Sequence, residues 1–316
     1  MYDASLAITT HNRKDELRAA LDSALAQSLA DRLQLVVIDD GSTDGTSDML
    51  RAEYGGRANV VLDAQHPGIG LIAERNRFPE LCDAPIIFSM DDDAVFPSTR
   101  TIEQTLDVFN ASPRVGVVAM PYEDVNIRPG VIQQQAPSSP PGGLFAAEQY
   151  RGTAHAIRKD LFVRLGRYRG QLWRQGEEGD YAIRLYDSGH AVVLGSADPI
   201  HHLESPKRSK PAIYTFTTRN NVWFAWHNVP GADLPRHLLG TTLMHLRDAA
   251  LHPPRTWPRF RGLIQGYAGV ISSQRTERRP VSREAYRLSR SLRRSGPVPL
   301  ADIEAQLAAM QPAPGP

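Results

Sequence analysis

Short apolar runs alternate with amphipathic stretches over the first 90 residues of the chain. The runs occupy residues 5–9, 34–38, 59–62 and 86–90, and each has the length and composition of a buried strand. Between the first two runs, leucine recurs at every fourth position from Leu17 to Leu29, which predicts an amphipathic helix. Strands that alternate with helices in this way are typical of a parallel, doubly wound α/β sheet.

The rest of the chain continues this pattern less regularly. Further strands are predicted at residues 115–120, 152–158 and 192–194, and further helices at residues 102–109, 159–165 and 181–185. Residues 122–150 are rich in Gln, Pro, Ser and Gly, which predicts a long surface excursion or hairpin. From Pro211 onward the pattern is helical and aromatic, and the composition of residues 311–316 predicts a disordered tail.

Two of the predicted strands end in carboxylates. Asp39 and Asp40 follow the second strand, and Asp91, Asp92 and Asp93 follow the fourth. The carboxyl ends of parallel strands meet at one edge of the sheet, where ligands bind. If the chain stays extended, Asp91 and Asp93 point to one side and Asp92 to the other. Two such carboxylates suit Mg²⁺ or Mn²⁺ together with phosphate, and an acidic turn that closes the strand is the alternative.

Composition excludes several other classes of protein. The net charge of +1 gives no basic field for nucleic-acid binding. The single cysteine, Cys82, excludes an internal disulfide and a cysteine-based zinc site. The start of the chain does not resemble a signal peptide, and no apolar run approaches the roughly 18 residues that span a bilayer. We therefore expect a cytoplasmic protein, with peripheral contact at the inner face of the membrane left open.

Six short motifs follow one another between residues 5 and 228. They are Thr9-Thr10-His11-Asn12-Arg13, Val37-Ile38-Asp39-Asp40-Gly41-Ser42-Thr43-Asp44, Gly70 through Glu74-Arg75-Asn76, Asp91-Asp92-Asp93, Gly176-Glu177-Glu178-Gly179-Asp180 with Arg184-Leu185, and Arg219-Asn220. In this order they resemble the motifs of the family 2 glycosyltransferases. The resemblance implies the GT-A fold, a Rossmann-like, doubly wound, mixed and mostly parallel sheet. It also implies a hexosyl- or deoxyhexosyltransferase that uses a nucleotide-diphospho-sugar.

The resemblance assigns the donor side of the site to the first four motifs. Thr9 would lie beside the base, Asp40 would accept an N–H of the base, and Arg75 would lie near the diphosphate or base. For Asp40 a capped turn is the alternative, for Arg75 an arginine on a helix surface, and Asn12 could also cap the first helix. The predicted donor contacts are Thr9, Asn12, Asp40, Arg75, Asp91 and Asp92.

The resemblance also implies a metal site for Mn²⁺ or Mg²⁺. Asp93 would bind the ion directly, and Asp91 would reach the ribose or the metal. His201 or His202 would add a third ligand, but adjacent residues of an extended chain cannot both face one ion. We favour His202, and an exposed histidine pair without a ligand role is the alternative. The ion would neutralise charge on the departing nucleoside diphosphate.

The fifth motif implies the general base and the acceptor side. Glu178 is the predicted base, at a position where the family more often has Asp, and Glu177 is the reserve candidate. Direct displacement would invert the anomeric centre. Asp180 and Trp173 are assigned to the acceptor side. Asp180 is expected to act structurally, by bonding the backbone or Arg184, and Trp173 is either a stacking platform for a sugar or a core residue.

The resemblance further sets the predicted domains and partners. The GT-A catalytic domain covers residues 1–210, with a nucleotide-sugar half at about 1–120 and an acceptor half at about 121–210. A helical C-terminal extension covers 211–300, and a terminal helix with a disordered tail covers 301–316. The predicted partners are a UDP-, GDP- or dTDP-linked donor and a glycan or lipid-linked acceptor in bacterial cell-surface polysaccharide or glycoconjugate synthesis.

Two alternative functions and the role of the C-terminal aromatic residues also have to be considered. A non-catalytic nucleotide-sugar or glycan-binding homologue would be expected to lack Asp93 or the acid at 178. A sugar-nucleotide pyrophosphorylase would need a glycine-rich loop with Arg and Lys near residues 5–12, and none is present. The aromatic residues of the C-terminal region could contact anionic lipid, pack the helices together or form a homodimer interface. They are Trp223, Phe224, Trp226, Trp257 and Phe260.

Overall fold

A computed structural model describes residues 2–65, 67–139, 142–203 and 210–310. Within these ranges the chain forms the following strands. They are β1 Ala4–Thr10, β2 Leu33–Asp39, β3 Val60–Ala64, β4 Ile86–Asp91, β5 Ala94–Val95, β6 Val115–Ala119, β7 Tyr122–Asp124, β8 Ile132–Gln133, β9 Phe145–Ala146, β10 Ala154–Arg158, β11 Ala191–Leu194, β12 Ile200–His202 and β13 Val298–Pro299.

The α-helices lie between and after these strands. They are α1 Lys14–Leu25, α2 Thr46–Glu53, α3 Leu71–Arg75, α4 Phe78–Leu81, α5 Thr101–Ala111, α6 Lys159–Arg164, α7 Glu177–Asp187, α8 Lys210–Asn228, α9 Leu234–Leu251, α10 Thr256–Ile271, α11 Arg283–Ser295 and α12 Leu300–Ala309. No helix in the described ranges has the length and apolar character needed to cross a bilayer.

The central sheet confirms the predicted doubly wound, mixed architecture. Its nine strands have the order β13-β9-β11-β6-β10-β4-β1-β2-β3, and the strands β4, β1, β2 and β3 pair in parallel. Strand β10 runs antiparallel between β4 and β6. A second sheet has the order β5-β12-β7-β8. Strand β2 is buried along its whole length and β1 along almost all of it, which explains why both read as continuous apolar runs.

The strand registers bring the predicted acids to one edge of the sheet. Thr10 at the end of β1 pairs with Asp39 at the end of β2. On the other side of β1, Thr9 pairs with Asp91 at the end of β4. The carboxylates that follow β2 and β4 therefore flank the same strand end.

Two predicted elements differ from the structure. Helix α1 ends at Leu25, so the leucine repeat outlasts the helix and Leu29 belongs to the following turn. Residues 122–150 form the predicted hairpin, β7 with β8, but they also contribute the buried strand β9 to the central sheet. This segment therefore contributes buried residues to the core as well as a surface hairpin.

Helices α11 and α12 share the core of the sheet. One cluster of buried apolar side chains runs from Ala4 to Met310 and includes Leu288 of α11 and Leu307 of α12. Strand β13 also pairs with β9 at the edge of the central sheet. The predicted terminal helix is present as α12, and the predicted disordered tail, residues 311–316, lies outside the described residues. The domain boundary at residue 210 stays a prediction.

Candidate active site

A cleft of about 640 Å³ opens at the carboxyl ends of β1, β2 and β4. Thr9, Asp40 and Asp91 line it from the strand ends. Residues 148–153 and 173–179 line it as well, together with side chains of α3, α8 and α11. The cleft therefore collects side chains from both halves of the predicted catalytic domain.

Asp91, Asp93 and His202 converge beside this cleft. Each offers one ligand atom, and the three atoms lie within 4.8 Å of one another. The distance from His202 Nε2 is 3.3 Å to Asp93 Oδ1 and 4.0 Å to Asp91 Oδ2. Strand β12 pairs with β5 so that His202 lies opposite Ala94, next to the acidic triplet. Two carboxylates and one imidazole fit Mn²⁺ or Mg²⁺, with Mn²⁺ the better match for a nitrogen ligand.

The two histidines of the predicted pair are placed differently. His202 is buried and faces the carboxylates, whereas His201 is half-buried and is not part of the cluster. Asp124 at the end of β7 contacts His202 Nδ1 at 2.6 Å, which leaves Nε2 directed at Asp91 and Asp93. Burial acts to lower the pKa of His202, but the carboxylates of Asp93 and Asp124 outweigh it and raise that pKa to about 9.

Asp92 is not part of this cluster, and it lies with Asp93 in the turn after β4, so the chain does not stay extended beyond Asp91 as the sequence prediction assumed. Its carboxylate accepts hydrogen bonds from Thr10 Oγ1 at 2.8 Å and from Arg13 Nη1 at 2.9 Å. The same nitrogen of Arg13 lies 2.6 Å from Asp93 Oδ2. Burial raises the pKa of Asp92 to about 6. Arg13 therefore fixes the two acids that end the triplet.

Asp40 closes a turn in this structure. Its Oδ1 atom accepts the backbone N–H of Ile69 at 2.6 Å and that of Gly70 at 3.1 Å. Gly68 makes this approach possible, because a Cβ there would lie 2.5 Å from the same oxygen. Asp40 also lines the cleft, so the turn and a donor contact are compatible.

The predicted role of Asn12 as a helix cap is wrong. Asn12 has φ +55°, and its Oδ1 atom accepts the backbone N–H of Thr43 at 2.7 Å. The backbone N–H of Lys14, at the start of α1, is instead accepted by Asp44 at 3.2 Å. Asn12 therefore ties the loop after β1 to the loop after β2.

Arg75 is a buried bridge, so its alternative interpretation as a surface arginine is wrong. Its side chain is 4% exposed. Nη2 donates to Asp91 Oδ1 at 2.9 Å and to the carbonyl of Gly152 at 3.1 Å, and Nη1 lies 3.5 Å from Glu177 Oε1. The guanidinium thereby connects the cluster of Asp91, Asp93 and His202 to the start of α7.

Glu177 and Glu178 begin α7 and differ in access to the cleft. Glu177 is 2% exposed, and burial together with the neighbouring charge of Glu178 raises its pKa to about 8. Glu178 is half-buried, and burial raises its pKa as well. A Cβ at Gly152 would lie 2.6 Å from Glu178 Oε1 and 3.0 Å from Arg75 Nη1, so a larger residue there would have to displace the Glu178 carboxylate.

Asp180 lies behind the site, and its assignment to the acceptor side is corrected. Its carboxylate is 1% exposed and contacts Arg169 at 3.0 Å, Arg184 at 2.8 Å and Asn228 of α8 at 2.7 Å. Burial acts to raise its pKa, but Arg184 and Arg169 outweigh it and lower that pKa to about 2. The predicted bond to Arg184 is present, and the carboxylate joins α7 to α8.

Trp173 lines the cleft and is 53% exposed, so it is not a core tryptophan. Its ring lies over Gly70, where a Cβ would come within 3.1 Å of the indole. The exposed ring is available to stack against a ligand in the cleft.

Comparison with known proteins identifies the family. The model of the family described as glycosyl transferase family 2 matches residues 5–163, half of the chain. The chain belongs to glycosyl transferase family 2. This match contains four of the six motifs, including the acidic triplet, and the fifth motif with α7 follows it.

Two relatives resemble parts of this family 2 chain. Succinoglycan biosynthesis protein ExoU of Rhizobium meliloti is 38% identical over 98 residues, 30% of this chain and 28% of that protein. Glucosyl-dolichyl phosphate glucuronosyltransferase of Haloferax volcanii is 24% identical over 217 residues, 63% of this chain and 68% of that protein.

Solved structures of glycosyltransferases share the fold. Mannosyltransferase PcManGT from Pyrobaculum calidifontis, in complex with GDP-Man and Mn²⁺, has a TM-score of 0.58 at 19% identity over 97% of this chain and 84% of that one. TarS 1-349 of S. aureus, in complex with UDP-GlcNAc, has a TM-score of 0.59 at 14% identity over 94% and 92% of the two chains.

Two charged residues contact the acidic triplet or His202 but are not predicted as functional residues from the sequence. Arg13 is the last residue of the first motif, and its bonds to Asp92 and Asp93 depend on the fold. Asp124 lies in the irregular excursion, and its contact with His202 arises because β7 and β12 pair in parallel. Neither contact has a local sequence signal.

We expect Asp124→Asn to weaken Mn²⁺ binding by roughly 10–100-fold, because a carboxylate on the far nitrogen of a ligating histidine orients the ring and raises its basicity. Isothermal titration with Mn²⁺ measures the change. His201→Ala is the matched control, since His201 is next to the cluster and outside it. Equal affinities for the wild type and Asp124→Asn would contradict this role for Asp124.

Proposed function

We propose that the protein transfers a sugar from a nucleotide-diphospho-sugar to an acceptor hydroxyl, with a bound Mn²⁺ or Mg²⁺ and with inversion at the anomeric carbon. One observation carries this proposal. Asp91 belongs to the candidate metal site, and Arg75 links it to the start of α7. Glu178 lies there and lines the same cleft. The complex of the Pyrobaculum mannosyltransferase with GDP-Man and Mn²⁺ supports the same donor chemistry.

Asp91, Asp93 and His202 would hold the ion. When bound, the ion supplies positive charge that neutralises a departing nucleoside diphosphate. Arg75 keeps Asp91 in place and adds a buried positive charge on the donor side of the cleft. Such preorganised charge in a site with little water is often the largest contribution to catalysis.

Glu178 is the proposed general base. Its carboxylate would accept the proton of the acceptor hydroxyl while that oxygen attacks the anomeric carbon from the face opposite the diphosphate. Burial raises the pKa of Glu178, which brings its basicity closer to what proton transfer near neutral pH requires. Glu177 is less suited, because its side chain is buried against Arg75.

We propose a lipid-linked or glycan acceptor in the synthesis of a cell-surface polysaccharide or glycoconjugate. Trp173 offers an exposed ring for a sugar face, and Arg151, Arg174 and Arg293 line the outer cleft, which favours an acceptor with a negative charge. The names of the Rhizobium and Haloferax relatives point to polysaccharide and dolichyl-phosphate chemistry, respectively. The cleft retains carboxylates at 93 and 178, which disfavours the alternative of a non-catalytic binding homologue.

A thermal-shift panel tests the donor assignment. We expect one of UDP, GDP and dTDP to raise the melting temperature by several degrees in the presence of Mn²⁺ and much less in its absence, since a ligand at 100 times its Kd stabilises by about 2.7 kcal/mol. The matching nucleotide-sugar should then be consumed slowly with release of the nucleoside diphosphate. Binding without any turnover would favour the non-catalytic homologue, and no shift with any diphosphate would contradict both.

A further inference from the structure

Large exposed apolar side chains are concentrated on α9 and α10. Among the described residues, ten of the sixteen such side chains lie on these two helices. They are Leu239, Leu243, Met244, Leu246, Leu251, Trp257, Phe260, Ile264, Tyr267 and Ile271. Trp257 is 67% exposed and Ile271 is 79% exposed. Soluble surfaces rarely carry so many large apolar groups together without a partner.

The exposed residues of α10 lie on one face of the helix. Trp257, Phe260, Ile264, Tyr267 and Ile271 follow one another at intervals of three or four residues, which is the spacing of a single helical stripe. We call this stripe the α10 face. The neighbouring helix α9 carries a second exposed stripe, and a 2.6 Å hydrogen bond between Thr242 and Tyr267 joins the two helices.

Helix α10 packs against α8 through the side that carries its glycines. A Cβ at Gly262 would lie 2.6 Å from Thr218 of α8, and one at Gly269 would lie 2.6 Å from the indole of Trp223. The Trp223 N–H also donates to the carbonyl of Gly266 at 3.0 Å. The helix therefore turns glycines inward and its largest apolar side chains outward, the reverse of what packing onto this core alone would favour.

This arrangement separates the five aromatic residues of the C-terminal region into packed and exposed side chains. Trp223 is buried, and Trp226 donates to the carbonyl of Gln274 at 2.8 Å. Phe224 is partly buried and packs against the core. Only Trp257 and Phe260 of the five predicted aromatics belong to the α10 face.

The charged residues of α9, α10 and the turn between them are mostly positive. Residues 234–271 contain five arginines, no lysine or glutamate, and a single aspartate. That aspartate, Asp248, contacts Arg255 and Arg259, both at 2.9 Å. Arg236, Arg247 and Arg261 are exposed beside the apolar stripes.

We propose that the α10 face, together with these arginines, docks on a membrane surface rich in anionic lipid. An amphipathic helix of this kind lies in the interface with its apolar side in the headgroup region and its basic side chains at the phosphates. A second copy of the chain is a poorer partner, because two such faces would oppose arginines with no acid left to pair them.

Vesicle flotation tests the proposal. We expect the full chain to float with vesicles of phosphatidylglycerol and phosphatidylcholine at low salt. Binding should fall at least tenfold with pure phosphatidylcholine, and also in 0.5 M salt, where the Debye length is only about 4 Å. The triple variant Trp257→Ser, Phe260→Ser, Ile264→Ser should lose binding, as should Arg247→Glu, Arg261→Glu, while both keep the melting temperature of the wild type.

A matched control uses exposed apolar residues elsewhere. Ile127, Val131 and Ile132 are 55%, 49% and 44% exposed, and their triple change to serine should leave flotation unchanged. The proposal is overturned if the wild type does not bind the anionic vesicles, or if the α10 variant floats like the wild type. Light scattering that shows a dimer dissociated by the α10 triple variant would overturn it in favour of a self-interface.

Discussion

Replacing Asp93 by asparagine will reduce sugar transfer by roughly 10³-fold or more, since charge stabilisation of the departing diphosphate is expected to be the largest catalytic contribution. The Asp93 side chain is 1% exposed and lies 3.3 Å from His202 and 2.6 Å from Arg13. Asparagine keeps its shape and removes its charge. Initial rates at saturating donor, together with Mn²⁺ titration, measure the effect.

Asp63→Asn is the matched control for this change. Asp63 also lies near the end of a parallel strand and contacts an arginine, Arg77, at 2.6 Å, but it does not line the cleft. Its substitution should leave turnover and Mn²⁺ affinity near the wild-type values. If Asp93→Asn retained full turnover, or lost turnover with unchanged Mn²⁺ affinity, the proposed metal role would be wrong.

Glu178→Gln will lower kcat by roughly 10²–10⁴-fold while the affinity for the donor changes little, because the substitution removes only proton acceptance from the acceptor. Glu177→Gln is the comparison. Burial together with the charge of Glu178 raises the pKa of Glu177, which favours its neutral form, and the neutral side chain of glutamine resembles that form. We therefore expect a small change in kcat for Glu177→Gln. Steady-state kinetics and melting temperatures of both variants distinguish the two acids.

The pH profile gives this prediction a second readout. A general base must be ionised, and burial raises the pKa of Glu178, so the wild-type rate should fall as pH decreases through a value above that of an exposed glutamate. Glu178→Gln should lose this acidic limb. A limb that persists in Glu178→Gln and vanishes in Glu177→Gln would assign the base to Glu177.

The sheet and the acidic edge could be predicted because both follow local rules. Apolar runs between amphipathic segments indicate parallel strands, and the acids that follow those strands must meet at one edge, as Asp40 and Asp91 do. These inferences need only the period of the strand and its direction.

The remaining contacts depend on tertiary pairing. His202 could be preferred over His201 only weakly from sequence, because the choice is made by the register of β12 against β5. Asparagine is a common residue type at helix caps, but the Asn12 side chain instead accepts the backbone N–H of Thr43 in the loop after β2. The sequence left lipid contact and helix packing open for the C-terminal aromatics. Trp223 packs against the glycines of α10, and hydrophobicity alone does not reveal which side of a helix faces inward.

The buried hydrogen bond between Asn228 and Asp180 limits how this protein can be recombined with its relatives. It fastens α7, whose first turn carries the proposed base, to α8. A chimera could replace the carboxyl-terminal third with a segment that lacks an amide side chain at position 228. The buried carboxylate of Asp180 would then lose one hydrogen-bond donor, and leaving a buried charge without a partner is destabilising. Evolutionary exchange of acceptor specificity should therefore proceed through the loops that line the cleft rather than by swapping whole C-terminal segments.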